Sequence, residues 1–473
     1  MPRTALIIDF GSTYTKLRAI DLDRAEVIGS GQGPSTVTTD INHGLDLALS
    51  DLKDRLGGLP TFEYRLASSS AAGGLGMVTI GLVPKLTAEA ARHAALGAGA
   101  KILSNYSYEL TDADVREIEC LNADILLLSG GTDGGNKAVY LANAAALARS
   151  SVACPFVLAG NRSASDQVAE ILKSGGKSTV TTENVMPEYL KLNIEPAREA
   201  IRKLFIEHIV HAKGIDRAAD RFDEILMPTP AAVLAAATLL ADGTEKSEGL
   251  GPLIVLDVGG ATTDVHSVCD GSPTDPSVTM LGLEEPYAKR SVEGDLGMRH
   301  AAKDIVNAVG ASEFARLAEM DEGRVAALLS RCEADVDWLP ETPEENSFDM
   351  ALSQTAVRLS IQRHAGRQTL VQTVHGPTTV QRGKDLGRVA TVIGTGGVLA
   401  HGGAPLSALS GAVRACAEAG ALGPRSAKFY LDANYTLFAC GLLGGREPDV
   451  ALRLAKKSMD PLFEELGNGV FVG

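Results

Sequence analysis

Two aspartates head two similar turns. Asp257 interrupts the apolar run Leu253 to Val258, and Gly259, Gly260, Thr262, Thr263 and a second carboxylate, Asp264, follow at once. Glycines here permit a tight turn with positive φ and bring backbone N–H groups close to a ligand. Bare N–H groups suit a phosphate, and carboxylates beside a phosphate suit a divalent cation between them. The N-terminus repeats the arrangement: Ala5 to Ile8, then Asp9, Gly11 and hydroxyls at Ser12, Thr13 and Thr15. The repetition points to a duplicated fold with a site between its halves.

A third glycine turn, Gly394, Gly396 and Gly397, closes the strand-like Arg388–Ile393. Any one of these turns alone reads as a link between two elements. Two further glycine-rich stretches need separate readings. Ser174 to Thr179 looks like part of a P-loop, but Ile171 stands where its first glycine belongs, and a helix precedes it instead of a strand. Gly130 to Asn136 follows a strand and precedes a helix, which suits a ligand or partner site at the strand's carboxyl end as well as a plain turn. His208 and His211 are three apart on a helical stretch without further ligands nearby, so no metal spacing emerges from the histidines.

The elements that must position these residues follow from periodicity. Residues 5–10, 16–19 and 26–30 read as strands, Ile41 to Leu56 as a helix with apolar residues at helical spacing, and Tyr64–Ser69 as a strand. Met77–Val83 reads as one more strand. Strands and helices then alternate: Lys101–Asn105, Asp112–Cys120, Asp124–Ser129, Asn136–Ala148, Pro155–Ala159, Ser165–Lys173 and Thr179–Thr182. Such alternation implies a parallel sheet with crossover helices. Helices follow at Glu195–Lys213 and after Met227, the latter with proline in its first turn. Beyond residue 253 the pattern predicts helices at Gly294–Val309, Ala315–Arg331, Asp349–His364, Tyr430–Leu443 and Asp449–Leu466, with Asp335–Asn346 as a loop.

Composition narrows the function. The 473 residues carry a formal charge of −15, leaving no basic excess to neutralise nucleic-acid phosphates. Six scattered cysteines without a CxxC pair fit a reduced compartment and no structural zinc. The first apolar run is too short for a signal peptide, and Ala231 to Ala241 is too short to span a bilayer. A cytoplasmic location without membrane contact is expected.

In order and spacing, the three turns resemble the phosphate-1, phosphate-2 and adenosine motifs of the actin/Hsp70/sugar-kinase superfamily. Met227 to Ala237 resembles its first connecting helix and Asp432 to Gly441 its second. The resemblance implies an α/β fold: two actin-like, ribonuclease H-like halves with an inserted Rossmann- or flavodoxin-like block. The expected divisions are 1–84, 85–190 (the insertion), 191–250 (connecting helices) and 251–473. It also implies ATP and Mg²⁺ as cofactors. Asp9 and Asp257 would hold the metal through water; Gly11, Ser12, Thr13 and Tyr14 would line the β- and γ-phosphates. Gly259, Gly260 and Thr262 would wrap the phosphates from the other half, and Asp264 would orient the attacking water or the metal shell. Gly394, Gly396 and Gly397 would let the adenosine lie against backbone. Ala261 departs from the third glycine of Hsp70-type turns. Lys16 has two readings, a side chain that reaches phosphate and a solvated strand residue, and the second is favoured.

Within that superfamily, Ile8–Lys16, Leu128–Asn136, Val255–Asp264 and Asp432–Thr436 resemble the accessory proteins of adenosylcobalamin-dependent glutamate mutase, the GlmL or MutL-type family. This implies an ATPase that reactivates or matures a B12-dependent mutase, with the mutase subunits as partners and homodimerisation left open. No Asp-x-His-x-x-Gly motif is present, so cobalamin binding by this chain itself is not expected. A small-molecule kinase and a non-catalytic nucleotide-binding scaffold are the competing readings.

Overall fold

The structure, a computed structural model, describes residues 2–11, 14–36, 40–70, 75–209, 221–336, 338–374, 376–402 and 405–462. The first strands are β1 (Thr4–Phe10), β2 (Tyr14–Asp21), β3 (Glu26–Pro34) and β4 (Tyr64–Ser69), with α1 (Ile41–Leu56) between the last two. A separate sheet follows: β5 (Leu75–Gly81), β6 (Ala100–Ser107), β7 (Ile125–Leu128), β8 (Phe156–Leu158) and β9 (Thr179–Thr181). Its helices are α2 (Thr87–Gly97), α3 (Asp112–Cys120), α4 (Ala138–Ala148) and α5 (Ser165–Ser174). The strands are all parallel, in the order β6-β5-β7-β8-β9. That is the flavodoxin-like winding. The strand expected at Met77–Val83 is therefore β5, a member of this inserted sheet and not of the first.

After α6 (Glu195–Leu204), which runs into a single π turn, the chain returns to the first sheet through β10 (Glu224–Pro228) and enters α7 (Thr229–Asp242). The helix expected to reach Lys213 thus stops at Leu204; residues 210–220, with His211, lie outside the described ones. A small ribbon, β11 (Gly243–Thr244) with β12 (Ser247–Glu248), leads to β13 (Leu253–Val258) and β14 (Thr263–Val268). β15 (Thr279–Met280) and β16 (Ala288–Glu293) follow. The helical layer is α8 (Ala302–Val309), α9 (Ala311–Leu317), α10 (Glu322–Ala334) and α11 (Pro343–His364). A hairpin, β17 (Arg367–Thr373) with β18 (Gly376–Arg382), precedes β19 (Thr391–Thr395). The chain ends in α12 (Gly397–His401), α13 (Pro405–Glu418), β20 (Lys428–Leu431), α14 (Leu437–Gly444), α15 (Pro448–Ser458) and β21 (Asp460–Leu462).

Several sequence expectations shift here. Residues 315–331 are not one helix, because Asp321 accepts a hydrogen bond from Arg324 N and caps a new helix. Pro343–Asn346 is not loop, because Thr342 and Glu345 form a reciprocal capping box that starts α11. Gly294–Ala301 is not helical. Tyr430 sits in a strand, not in the helix that follows, and the last helix gives way to edge strand β21.

The two halves repeat one topology. In the first sheet β1–β2 and β2–β3 are antiparallel, while β1–β4 and β4–β10 are parallel. In the second, β13–β14 and β14–β16 are antiparallel, while β13–β19 and β19–β20 are parallel. Both have the order 3-2-1-4-5, the duplicated ribonuclease H-like arrangement that the resemblance implies.

Between the sheets lie α7, α14 and α15, packed on Ala5 and Ile7 of β1 and on Leu253 and Val255 of β13. α7 and α14 are apolar on nearly every side, as a helix buried all round must be. Small residues let them cross closely: a Cβ on Gly441 would stand 1.8 Å from the Ala232 carbonyl oxygen. Gly441→Ala is expected to cost about 1–3 kcal/mol by overpacking. The measurement is a lower urea midpoint, and an unchanged midpoint would show that the crossing has slack.

Candidate functional site

Strand periodicity aims the two aspartates at each other's half. Side chains alternate along a strand. In β1, Ala5 and Ile7 face the inter-sheet core while Leu6, Ile8 and Phe10 face the opposite one, so Asp9 ends the inter-sheet face. In β13, Leu253 and Val255 face the same inter-sheet core while Ile254, Leu256 and Val258 turn away, so Asp257 ends the matching face.

Asp9 is only 6% exposed. Its Oδ1 accepts from Thr229 Oγ1 at 2.5 Å and from Ser68 Oγ at 3.3 Å. Burial raises its pKa, opposed by the charge of Lys16 and by these two hydroxyls. The β1–β2 turn is tight at Gly11, whose N–H donates to the Tyr14 carbonyl at 3.0 Å. A Cβ at Gly11 would lie 2.6 Å from that oxygen, so only glycine fits. Tyr14 stands 46% exposed at the mouth of the turn. Ser12 and Thr13 lie outside the described residues.

Asp257 differs from the other carboxylates of the site. Its register partners are Asp264 on one side and Thr395 on the other. Among the described residues no hydrogen bond reaches it. Its pKa is pushed up to about 7, first by burial and then by the charge of Asp264, with Lys16 opposing. An acid that binds its proton more tightly folded than unfolded stabilises the fold at low pH, and the gain is lost as pH rises through the folded value. Wild type is therefore expected to lose stability, relative to Asp257→Asn, between about pH 4 and pH 7. Parallel thermal melts without added cation check this; identical pH slopes would contradict it.

Lys16 is not a solvated strand residue. It stands opposite Asp9 in the β1–β2 register, with its Nζ 4.2 Å from the centre of the Tyr435 ring. Both Asp9 and Asp257 feel its charge. One ammonium thus sits between carboxylates from the two halves. Arg18, two residues on, donates to the Asn434 carbonyl through Nε at 2.9 Å and Nη2 at 2.6 Å. Asp432, 1% exposed, caps α14 by accepting from Thr436 N at 2.7 Å and Leu437 N at 3.1 Å, and takes Thr395 Oγ1 at 3.2 Å.

In the second turn neither Gly259 nor Gly260 has the positive φ expected of it. Their carbonyls accept from Met298, Arg299 and His300 N–H groups, which anchor the turn to the start of the helical layer. Gly259 N donates to the Thr262 carbonyl at 2.9 Å. The N–H groups of Gly260, Ala261 and Thr262 make no hydrogen bond among the described residues, and Gly260 and Ala261 are exposed. A Cβ at Gly260 would meet nothing closer than 4.0 Å, so neither φ nor packing calls for glycine there. Free donors on an open glycine turn fit an anion.

Thr262 Oγ1 donates to Asp264 Oδ2 at 3.1 Å, and Asp264 Oδ1 takes Arg290 Nε at 2.8 Å. Arg290 Nη1 in turn donates to the carbonyls of Ala100 at 2.8 Å and Leu96 at 3.1 Å, at the end of α2. Both oxygens of Asp264 are therefore engaged, and the turn is wired to the inserted sheet.

In the third turn Gly396 has φ +100° and approaches β13 so closely that a Cβ would lie 2.2 Å from the Val258 carbonyl. Gly397 is exposed, and a Cβ there would lie 3.0 Å from Tyr435 Oη. Gly394 is buried within β19; its missing Cβ leaves room for Leu409 and Leu399. The fold thus brings Asp9, Asp257, Asp264, Thr262 and the three turns together. Sequence reasoning missed Thr229, Lys16, Tyr435 and Arg290. Only the antiparallel register of Asp9 with Lys16 could have been inferred from a hairpin.

The family described as MutL protein matches residues 5–459. The chain belongs to the MutL family. It is 48% identical over 453 residues to Protein MutL of Clostridium tetanomorphum, covering 96% of this chain and 98% of that one. Among solved structures, the MutL-family chain is similar to a nucleotide-free acetone carboxylase at TM-score 0.40 and 12% identity, covering 93% of this chain and 70% of that one. It is similar to the activator of 2-hydroxyisocaproyl-CoA dehydratase from Clostridium difficile, solved with bound ADPNP, at TM-score 0.32 and 10% identity, covering 96% of both chains. No helix among the described residues is long and apolar enough to cross a membrane.

Proposed function

We propose that this MutL-family chain binds ATP with Mg²⁺ between its two halves, hydrolyses it, and uses the resulting lobe movement to reactivate or mature an adenosylcobalamin-dependent mutase. The observation that carries the reading is Asp257: a carboxylate without a partner, half-buried and raised in pKa, facing the half that carries Asp9. A nearby cation would relieve it. No cluster of three or more His, Cys, Asp or Glu side chains with ligand spacing occurs among the described residues. Mg²⁺ needs none, because it keeps several waters and takes phosphate oxygens as ligands. Asp9 and Asp257 fit as its water-mediated holders, and bound there it would neutralise phosphate charge. Gly11 allows the first turn to approach the phosphates, and the free N–H groups of Gly260, Ala261 and Thr262 serve the second. Gly396 and Gly397 leave the adenosine side open beside Tyr435.

Asp264, with one oxygen on Arg290 and the other on Thr262, is positioned to hold Thr262 and not to abstract a proton. That weighs against a small-molecule kinase, which needs a free base. The sequence resemblance to the glutamate mutase accessory proteins supports the mutase as partner, and the inserted flavodoxin-like sheet is the surface we assign to it.

The test is ATP hydrolysis by the purified chain with Mg²⁺, alone and with an inactivated B12-dependent mutase plus free adenosylcobalamin. Turnover with regained mutase activity is expected. Turnover without rescue would remove the mutase role, and absence of nucleotide binding would remove the reading of all three turns.

A further inference from the structure

A sizeable cavity lies away from the Asp9 and Asp257 carboxylates. Its volume is about 950 Å³, within the range of small-molecule pockets. Three units wall it: α6 with the loop before it, one face of α7, and residues 284–288 leading into β16. The α7 wall is apolar at Ala231, Leu234, Ala235 and Leu239, spaced by three or four residues as a single helix face must be. Opposite it, α6 presents Arg198 and Arg202, one turn apart.

Those two arginines are not at ease. Arg198 is 7% exposed, and although its Nη1 meets Glu195 at 2.5 Å and its Nη2 meets the Ala288 carbonyl at 3.1 Å, its Nε is buried without a partner. Gly97 has no Cβ, and the guanidinium fills that space. Arg202 has no hydrogen bond or ion pair among the described residues, and its Nε too is buried and unpaired. Like charges at i,i+4 repel, and unpaired buried donors are costly.

Of the cavity's acidic groups, Glu195 pairs with Arg198 alone, and none meets Arg202 among the described residues. Glu285 is held by Lys289 at 3.0 Å and His93 at 3.3 Å, and Asp242 accepts from Tyr287 Oη at 2.5 Å. Glu284 is exposed at the rim.

We propose that this cavity binds a small amphipathic anion, its carboxylate or phosphate on Arg198 and Arg202 and its apolar body along α7. The site is separate from the nucleotide reading and stands or falls without it. Because its walls come from α6 with the loop before it, from α7 and from the second half, an occupant would bias how those three units sit together.

The experiment is a fluorescence titration of the full chain with 8-anilinonaphthalene-1-sulfonate, an apolar body with one anionic group. Saturable one-to-one binding is expected, weakened about tenfold in Arg202→Gln, which removes a charge-assisted hydrogen bond. Ala235→Phe, which fills the apolar wall from a half-buried position, should weaken it equally, and Arg202→Lys should keep most of it. Melting curves establish that each variant is folded. Displacement by 1-naphthyl phosphate over 1-naphthoate would assign a phosphate headgroup, and the reverse a carboxylate. Lack of saturable binding, unchanged affinity in both Arg202→Gln and Ala235→Phe, or equal displacement by the cation 1-naphthylmethylamine would overturn the proposal.

Discussion

Asp257→Asn is expected to cut Mg²⁺-dependent ATP turnover roughly 100-fold or more while making the protein more stable at pH 8. The two effects share a cause. Asp257 is raised to about pKa 7 because burial and the charge of Asp264 disfavour its anion. At pH 8 the anion is nevertheless the main form, so the fold carries the cost of an unrelieved charge. Asparagine has nearly the same shape and no charge, which removes a destabilisation on the order of 1 kcal/mol. In the proposed function that charge holds the cation, and losing one electrostatic contact of this kind typically costs about 10²–10³ in rate. Asp9→Asn should be as inactive but not stabilised. Asp9 accepts two hydroxyl hydrogen bonds on Oδ1, and a neutral amide oxygen accepts them more weakly than a carboxylate does. Initial rates with Mg²⁺ and thermal melts at pH 8 decide the matter. A variant of Asp257 that loses stability without losing turnover would leave the carboxylate a structural role only.

Arg290→Met is expected to cost about 3–5 kcal/mol, the usual penalty for removing one partner of a buried ion pair. Arg290 is 4% exposed and meets Asp264 at 2.6 Å through Nη2. Asp264, itself 7% exposed, would be left with Thr262 as its only side-chain partner among the described residues. The carbonyls of Leu96 and Ala100 would also lose their donor, so the end of α2 should loosen from β16. Urea denaturation gives the energy, and amide exchange in residues 94–101 gives the loosening. The double variant Arg290→Met with Asp264→Asn should recover part of the loss, because it removes the stranded charge. A cost below about 1 kcal/mol would mean that solvent reaches the pair.

Much of the site was written locally. Gly11 is dictated by the Tyr14 carbonyl three residues away, and the odd-numbered side chains of residues 5–9 and 253–257 assign each aspartate to a face. The inserted sheet was equally legible, because its short apolar strands alternate with helices. The second half was harder to read. β14 and β16 carry Asp264, His266, Lys289 and Arg290 at buried positions, so neither strand shows the apolar run or alternation that marks a strand. Tyr430 was drawn into a helix because the apolar residues of α14 follow it closely; only pairing of Lys428–Leu431 with β19 makes it strand.

By itself the sequence determined the repeated strand–aspartate–glycine turns, the faces on which Asp9 and Asp257 fall, and the two apolar helices that must be buried. Backbone sterics and strand periodicity act over a few residues and need no fold to express them. Only the tertiary structure decided that those faces look toward each other, that Lys16 and Tyr435 stand between the halves, and that Arg290 ties Asp264 to α2. Those contacts join residues that the chain separates widely, and their energies depend on burial and charge around them, which no local pattern of residues encodes.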